Sequence, residues 1–119
     1  MLKKFSASWQ FVFLNVMVMT SLQLFDTRLF RFQRNWLQDS EFWRVITAHW
    51  VHFNWQHFAL NALGLLVCVA IARPSWSIVR WLTYNLLLAI GISTLFTVNN
   101  PELGWYVGYS GVLFGVFLL

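Results

Sequence analysis

Residues 55–72 have the sequence WQHFALNALGLLVCVAIA, and this stretch decides the fold class. It contains no Asp, Glu, Lys or Arg, and a helix that crosses a bilayer needs about 20 mostly apolar residues. Arg73-Pro74 follows it, and proline cannot continue a helix. The stretch therefore predicts a membrane-spanning helix. Two of its polar side chains, His57 and Asn61, are four residues apart and share one helical face.

Three further apolar stretches, at about 9–25, 78–98 and 109–119, extend this pattern along the chain. Lys3 and Lys4 precede the first stretch, as in a cleavable signal peptide, but no small-x-small cleavage site follows it, which favours a retained span. The last stretch is still apolar at Leu119, and we expect a chain truncated inside its fourth span. The predicted fold is an all-α, polytopic transmembrane helix bundle.

The composition agrees with lipid as the solvent, since 59% of residues are hydrophobic and only 10% are charged. A soluble domain usually carries about a quarter charged residues. The net charge of +4 raises the question of nucleic acid, but the basic residues are scattered between apolar spans, so we exclude that partner. The tryptophans lie mostly at the ends of apolar runs, which predicts anchors at the membrane interface: Trp9, Trp36, Trp43, Trp50, Trp55, Trp76, Trp81 and Trp105.

The connector between the first two spans, residues 26–54, is both aromatic and charged. It holds seven of the twelve Lys, Arg, Asp and Glu residues of the chain. Such an amphipathic mixture favours a segment that lies in the membrane interface. Counting positive charges does not orient the bundle, because alternate sides carry four each: Lys3, Lys4, Arg73 and Arg80 against Arg28, Arg31, Arg34 and Arg44.

Two short sequence patterns are candidates for a catalytic site. Polar groups inside a span are costly, so His57 and Asn61 indicate either an active site or hydrogen bonds between helices, with equal weight. In Gly108-Tyr109-Ser110-Gly111, the flanking glycines permit close backbone approach and leave amide groups free for a substrate oxygen. Ser110 is then a nucleophile or merely a helix N-cap, and the pattern alone favours the cap.

A metal or haem site formed by His49, His52 and His57 is the weaker hypothesis. On an ideal helix, His52 and His57 would point about 140° apart, and no carboxylate or cysteine lies nearby to complete a ligand set. Cys68 is the only cysteine, which excludes an intrachain disulfide.

In combination, these patterns resemble the rhomboid family of intramembrane serine proteases from about Glu41 onward. The resemblance rests on Trp43-Arg44 in the first connector, on His52, His57 and Asn61 in the H-x4-H-x3-N arrangement, and on Gly108-Tyr109-Ser110-Gly111. It implies that about four of six core spans are present. The Gly-Tyr-Ser-Gly-Val-Leu run is also similar to the rhombosortase subfamily.

The resemblance implies a role for each matching residue. Ser110 would be the nucleophile, and His57 and Asn61 would line the oxyanion hole together with the Ser110 amide. His52 would organise the connector and the water-accessible cavity, and Arg44 would hold the connector in the interface. The catalytic base of the family is a histidine in the sixth span, which lies beyond this chain, so we expect the fragment alone to be inactive.

The resemblance also implies the setting. The substrates would be single-span membrane proteins, the solvent the lipid bilayer, and no metal or organic cofactor would be needed. The location would be the bacterial inner membrane, with the N-terminus in the cytoplasm and the site open to the periplasm. The alternative hypothesis is a catalytically dead rhomboid-like protein that binds transmembrane clients through the same cavity.

Overall fold

The computed structural model describes residues 6–72 and 75–119, which form five α helices and one small sheet. Lys3, Lys4, Arg73 and Pro74, which entered the sequence analysis, lie outside the described residues. The helices are α1 (Ala7–Gln23), α2 (Arg44–Thr47), α3 (Trp55–Ala72), α4 (Ile78–Asn99) and α5 (Ser110–Phe117). The strands are β1 (Phe32–Gln33) and β2 (Trp105–Tyr106), and a 3-10 turn covers Thr27–Leu29.

Four of these helices, α1, α3, α4 and α5, lie where the sequence predicts apolar spans, with ends that differ by no more than two residues. Serine hydroxyls cap two of them, because Ser6 Oγ accepts from the Trp9 amide at 3.4 Å and Ser77 Oγ accepts from the Arg80 amide at 3.2 Å. Of the described helices, only α4 is both long enough and apolar enough, by length and composition, to cross a membrane. Trp55–Ile71 in α3 is a shorter apolar segment.

The helices alternate in direction, so that four helix ends meet at one end of the bundle. The side chain of Gln23, at the end of α1, exchanges hydrogen bonds with the backbone of His52, just before α3. The Gly108 amide, just before α5, donates to the Ala48 carbonyl at 2.9 Å. This end therefore brings together the C-terminus of α1 and the N-termini of α3 and α5.

Arg34 in the connector joins the C-terminus of α4 to this same end. Its guanidinium donates to the carbonyl oxygens of Phe96, Thr97, Asn100 and Leu103. The last carbonyls of a helix lack intrahelical partners and carry partial negative charge, so a guanidinium is a suitable cap. The adjacent strands β1 and β2 pair antiparallel and fix the connector against the segment that leads to α5.

The opposite end of the bundle is held by aromatic packing. Trp81 in α4 is fully buried, stacks on Phe11 of α1 at 4.5 Å, and donates from its ring nitrogen to Ser8 Oγ at 3.2 Å. Trp50 is also buried. The prediction that the tryptophans are interface anchors is therefore wrong for these two residues, because each finds both apolar neighbours and a hydrogen-bond acceptor inside the protein.

Replacing Arg34 with glutamine is expected to destabilise the fold by about 2 kcal/mol or more, because hydrogen bonds that involve a charged donor stabilise by about 1.5–3 kcal/mol each. Thermal unfolding of the detergent-solubilised protein measures the effect. The matched control is Arg28→Gln, whose exposed ion pair with Asp26 is expected to leave the unfolding midpoint unchanged. Equal midpoints for the two variants would contradict the capping role of Arg34.

Candidate active site

Ser110 is the first residue of α5 and is exposed. The N-cap position belongs to Tyr109, and no side chain caps this helix. The Ser110 hydroxyl instead lies 3.3 Å from the hydroxyl of Tyr106. The alternative that Ser110 is an N-cap is therefore wrong, and its hydroxyl remains available at the surface of the site.

The backbone before Ser110 is held by the segment that precedes α3. Gly108 has φ of 122°, a conformation that side chains with a Cβ rarely adopt, and its amide binds the Ala48 carbonyl. The amide of Tyr109 donates to Nε2 of His52 at 3.3 Å. These two contacts place the Gly108-Tyr109-Ser110 turn directly against the histidine-containing segment.

His57 lies beside this turn, in the first turn of α3. Its amide donates to Asn54 Oδ1 at 2.8 Å, which caps the helix. A Cβ added to Gly108 would lie only 2.8 Å from His57 Cε1 and 3.2 Å from Nε2, so glycine is needed for this close approach. The ring accepts from the Phe53 amide at Nδ1, at 3.4 Å, which places the proton of the neutral ring on Nε2.

Asn61 lies one turn further along α3, on the face that carries His57. Its side chain is buried, and its amide nitrogen donates to the His57 carbonyl at 3.0 Å. Among the described residues, no hydrogen bond joins Asn61 to Ser110.

His52 and His49 are fully buried next to the site. Burial lowers the pKa of each imidazole to about 4, and the nearby His57 lowers the pKa of His52 further in the same direction. For His49, the Ala89 carbonyl opposes this shift only in part. Both rings are therefore neutral at physiological pH.

The sequence-based argument against a metal site assumed a helix that contains both His52 and His57. That assumption is wrong, because α3 begins at Trp55, and the two rings lie only 5.0 Å apart. His52 Nε2 is occupied by the Tyr109 amide and His49 Nε2 by Ser93 Oγ at 2.9 Å. Within residues 6–72 and 75–119, no group of three or more His, Cys, Asp or Glu side chains is arranged to hold a metal ion.

The remaining motif residues lie around the site rather than in it. Arg44 is buried, pairs with Glu41 at 3.0 Å, and donates to the carbonyls of Arg28 and Arg31 at 2.8 Å. Trp43 is half-exposed and donates to a connector carbonyl at 2.9 Å. Gly111 faces α4, where an added Cβ would lie 3.2 Å from Ile92.

Sequence reasoning missed the residues whose side chains form hydrogen bonds with Tyr109 and Ser110. Tyr106 contacts Ser110, and the hydroxyl of Tyr109 binds Asn85 at 2.7 Å, which in turn binds Asn15 at 2.9 Å. The available signal was an asparagine inside each of two apolar spans, since polar groups inside a span are costly unless they serve a purpose.

The arrangement presents an exposed hydroxyl beside a group of N–H donors. Among the described residues, neither His57 Nε2 nor the Ser110 amide has a hydrogen-bond partner, and both border the turn that carries the Ser110 hydroxyl. An attacking hydroxyl and adjacent free donors are two of the elements that acyl transfer requires, the third being a base.

The sequence of this chain matches the model of a known protein family. The family model of the rhomboid domain matches residues 39–119, which covers the second half of the connector and α2 to α5. No curated protein matches the chain.

Acidification is expected to destabilise the fold between about pH 6.5 and pH 4. The unfolded chain binds protons at its histidines near the ordinary pKa of 6.5, whereas folded His49 and His52 resist protonation down to about 4. Stability is therefore complete above pH 6.5 and falls as the pH approaches 4, by about 3 kcal/mol for each histidine. Thermal unfolding in detergent across this range measures it, and a constant midpoint would contradict the burial of two neutral rings.

Proposed function

Since the chain belongs to the rhomboid family, whose members are generally intramembrane serine proteases, we propose that it is part of an endopeptidase in which Ser110 is the nucleophile. The observation that supports this most directly is the exposed Ser110 hydroxyl on a turn packed against His57. Its substrates would be transmembrane-anchored proteins, in agreement with the apolar faces of α3 and α4.

The oxyanion donors of this proposal are His57, Asn61 and the Ser110 amide. The proton on His57 Nε2 is free to point at the substrate oxygen, because Nδ1 already accepts from the Phe53 amide. Asn61 binds the carbonyl of His57, and a shift of its side chain toward the substrate completes the set. N–H donors fixed before the reaction stabilise the developing negative charge without reorganisation.

The reaction would be acyl transfer. Ser110 Oγ attacks the carbonyl carbon of the scissile peptide bond while a base removes the hydroxyl proton, and the oxyanion is held by the three donors. The C–N bond then breaks, the amine leaves with the proton carried by the base, and water hydrolyses the acyl-enzyme by the same steps.

The base is proposed to lie outside this chain. Among the described residues, the Tyr106 hydroxyl is the only hydrogen-bond partner of Ser110 Oγ, and no imidazole is hydrogen-bonded to it. Family resemblance implies a histidine from a sixth span. We further propose that the protein lies in a bacterial inner membrane, with its N-terminus in the cytoplasm and the site facing the periplasm, and we retain the rhombosortase subfamily as a prediction.

The lack of an imidazole at Ser110 among the described residues also favours a second candidate, a catalytically dead rhomboid-like protein that binds transmembrane clients. The two candidates differ in one outcome. Client binding that survives Ser110→Ala, together with no cleavage by the wild-type protein, would establish the second.

A fluorophosphonate probe is expected to label the full-length membrane protein at Ser110, and Ser110→Ala is expected to abolish the labelling. His57→Ala and Asn61→Ala are expected to lower the rate of labelling by about 10²-fold each, since each removes one oxyanion donor. Mass spectrometry of the labelled peptide measures both effects.

The matched control is Ser93→Ala. Unlike Ser110, Ser93 is hydrogen-bonded to a histidine, at 2.9 Å, but it is fully buried and donates to the Val45 carbonyl. This variant is expected to keep full labelling. A wild-type protein that is not labelled, or labelling that persists in Ser110→Ala, would reject the protease proposal.

A further inference from the structure

A continuous chain of buried hydrogen bonds runs from the residue before Ser110 across the bundle to α1. The Tyr109 hydroxyl donates to Asn85 Oδ1 at 2.7 Å, and Asn85 Nδ2 donates to Asn15 Oδ1 at 2.9 Å. Asn15 Nδ2 then donates to the Phe11 carbonyl at 2.8 Å, and Trp50 Nε1 donates to Asn15 Oδ1 at 2.8 Å. The chain thus connects α5, α4, the connector and α1.

The direction of this chain is fixed, because each donor meets an acceptor and each amide uses both its oxygen and its nitrogen. Turning the Asn85 amide by 180° would place its oxygen against the Asn15 oxygen, which already accepts two hydrogen bonds. The four side chains are buried in an otherwise apolar region, where a polar group without a partner is costly. The arrangement is therefore a single, well-defined one.

Tyr109 is held at both of its ends. Its ring is fully buried and lies against Trp50 with centroids 5.8 Å apart, and its hydroxyl is fixed to α4 through Asn85. Its backbone amide is fixed to the histidine segment through His52 Nε2. Ser110, the next residue, is exposed, and its side chain makes a single hydrogen bond to the described part of the chain, at 3.3 Å. The position of Ser110 thus depends largely on its buried neighbour.

We propose that Tyr109 is a positioning residue for the nucleophile, and that its hydrogen bond to Asn85 sets the position of the Ser110 hydroxyl and amide relative to His57. This inference rests on the proposed protease function. It assigns to Asn85 and Asn15, in two different helices, a role in the rate of the chemical step. A small displacement of a reacting atom is enough to lower a rate by a large factor.

A purely structural role would give a different result, and the chain offers a matched control for it. The Tyr84 hydroxyl donates to the Gly115 carbonyl at 2.8 Å, so it too joins α4 to α5 by one tyrosine hydroxyl. This bond lies further along α5 and does not involve the turn that carries Ser110. Deleting either hydroxyl removes one hydrogen bond between the same two helices.

The experiment compares Tyr109→Phe with Tyr84→Phe in the full-length protein reconstituted in lipid vesicles. The readouts are the rate of fluorophosphonate labelling, and kcat and KM for cleavage of a transmembrane substrate. Tyr109→Phe is expected to lower the labelling rate and kcat by about tenfold or more, with KM nearly unchanged. Tyr84→Phe is expected to leave all three unchanged even where it lowers the unfolding temperature.

A double variant, Tyr109→Phe with Asn85→Leu, separates position from stability. Replacing both partners of a buried hydrogen bond with apolar groups can be nearly neutral for stability. The double variant is therefore expected to regain thermal stability relative to Tyr109→Phe, yet to remain slow.

Each outcome decides one question. Three results would overturn the positioning role while the protease function stands. The first is a wild-type labelling rate and kcat in Tyr109→Phe, and the second is an equal loss of rate in Tyr84→Phe. The third is a double variant that regains both its stability and its rate. A wild-type protein that neither reacts with the probe nor cleaves substrate would instead reject the protease function, and the positioning role with it.

Discussion

Inside this bundle, a polar side chain has to find its partner within the protein, because the outer faces of the helices are apolar and offer no hydrogen bonds. The structure meets this constraint by joining polar groups from different helices. Asn85 in α4 binds both Asn15 in α1 and Tyr109 at the start of α5. The result is that the few polar residues fix the relative position of helices whose apolar surfaces alone would permit several packings.

The same constraint explains the connector. Arg34 and Arg44 satisfy backbone carbonyls that would otherwise have no partner, rather than projecting into solvent as surface charges. Arg34 closes the C-terminal end of α4, and Arg44 closes the turn around Arg28 and Arg31. Because a guanidinium has five donors in one plane, a single side chain can hold several carbonyls at once. The connector is therefore ordered beside the site although it contains little regular secondary structure.

At the site, close approach and polar pairing act together. Glycine at position 108 allows the turn before Ser110 to lie against the His57 ring, and His52 binds the next amide. His49 and His52 are kept neutral by burial, so each ring nitrogen acts as a donor or an acceptor of defined kind and not as a charge. In the part of the chain that the structure describes, His52 Nδ1 is a buried ring nitrogen without a hydrogen-bond partner.

The sequence by itself determined the helical class, the positions of the four apolar helices to within two residues, and the family. Apolar runs of fixed length, closed by proline or polar residues, carry that information locally. It also indicated Ser110, His57 and Asn61, since motif spacing needs no three-dimensional structure. Only the tertiary structure decided which polar residues meet. Asn15 and Asn85 are 70 positions apart in the sequence. Trp50 and Trp81 lie at the ends of apolar runs as the exposed tryptophans do, and only their packing shows that they are buried. Such pairings depend on how the helices rotate and pack against one another, which no local pattern in the chain specifies.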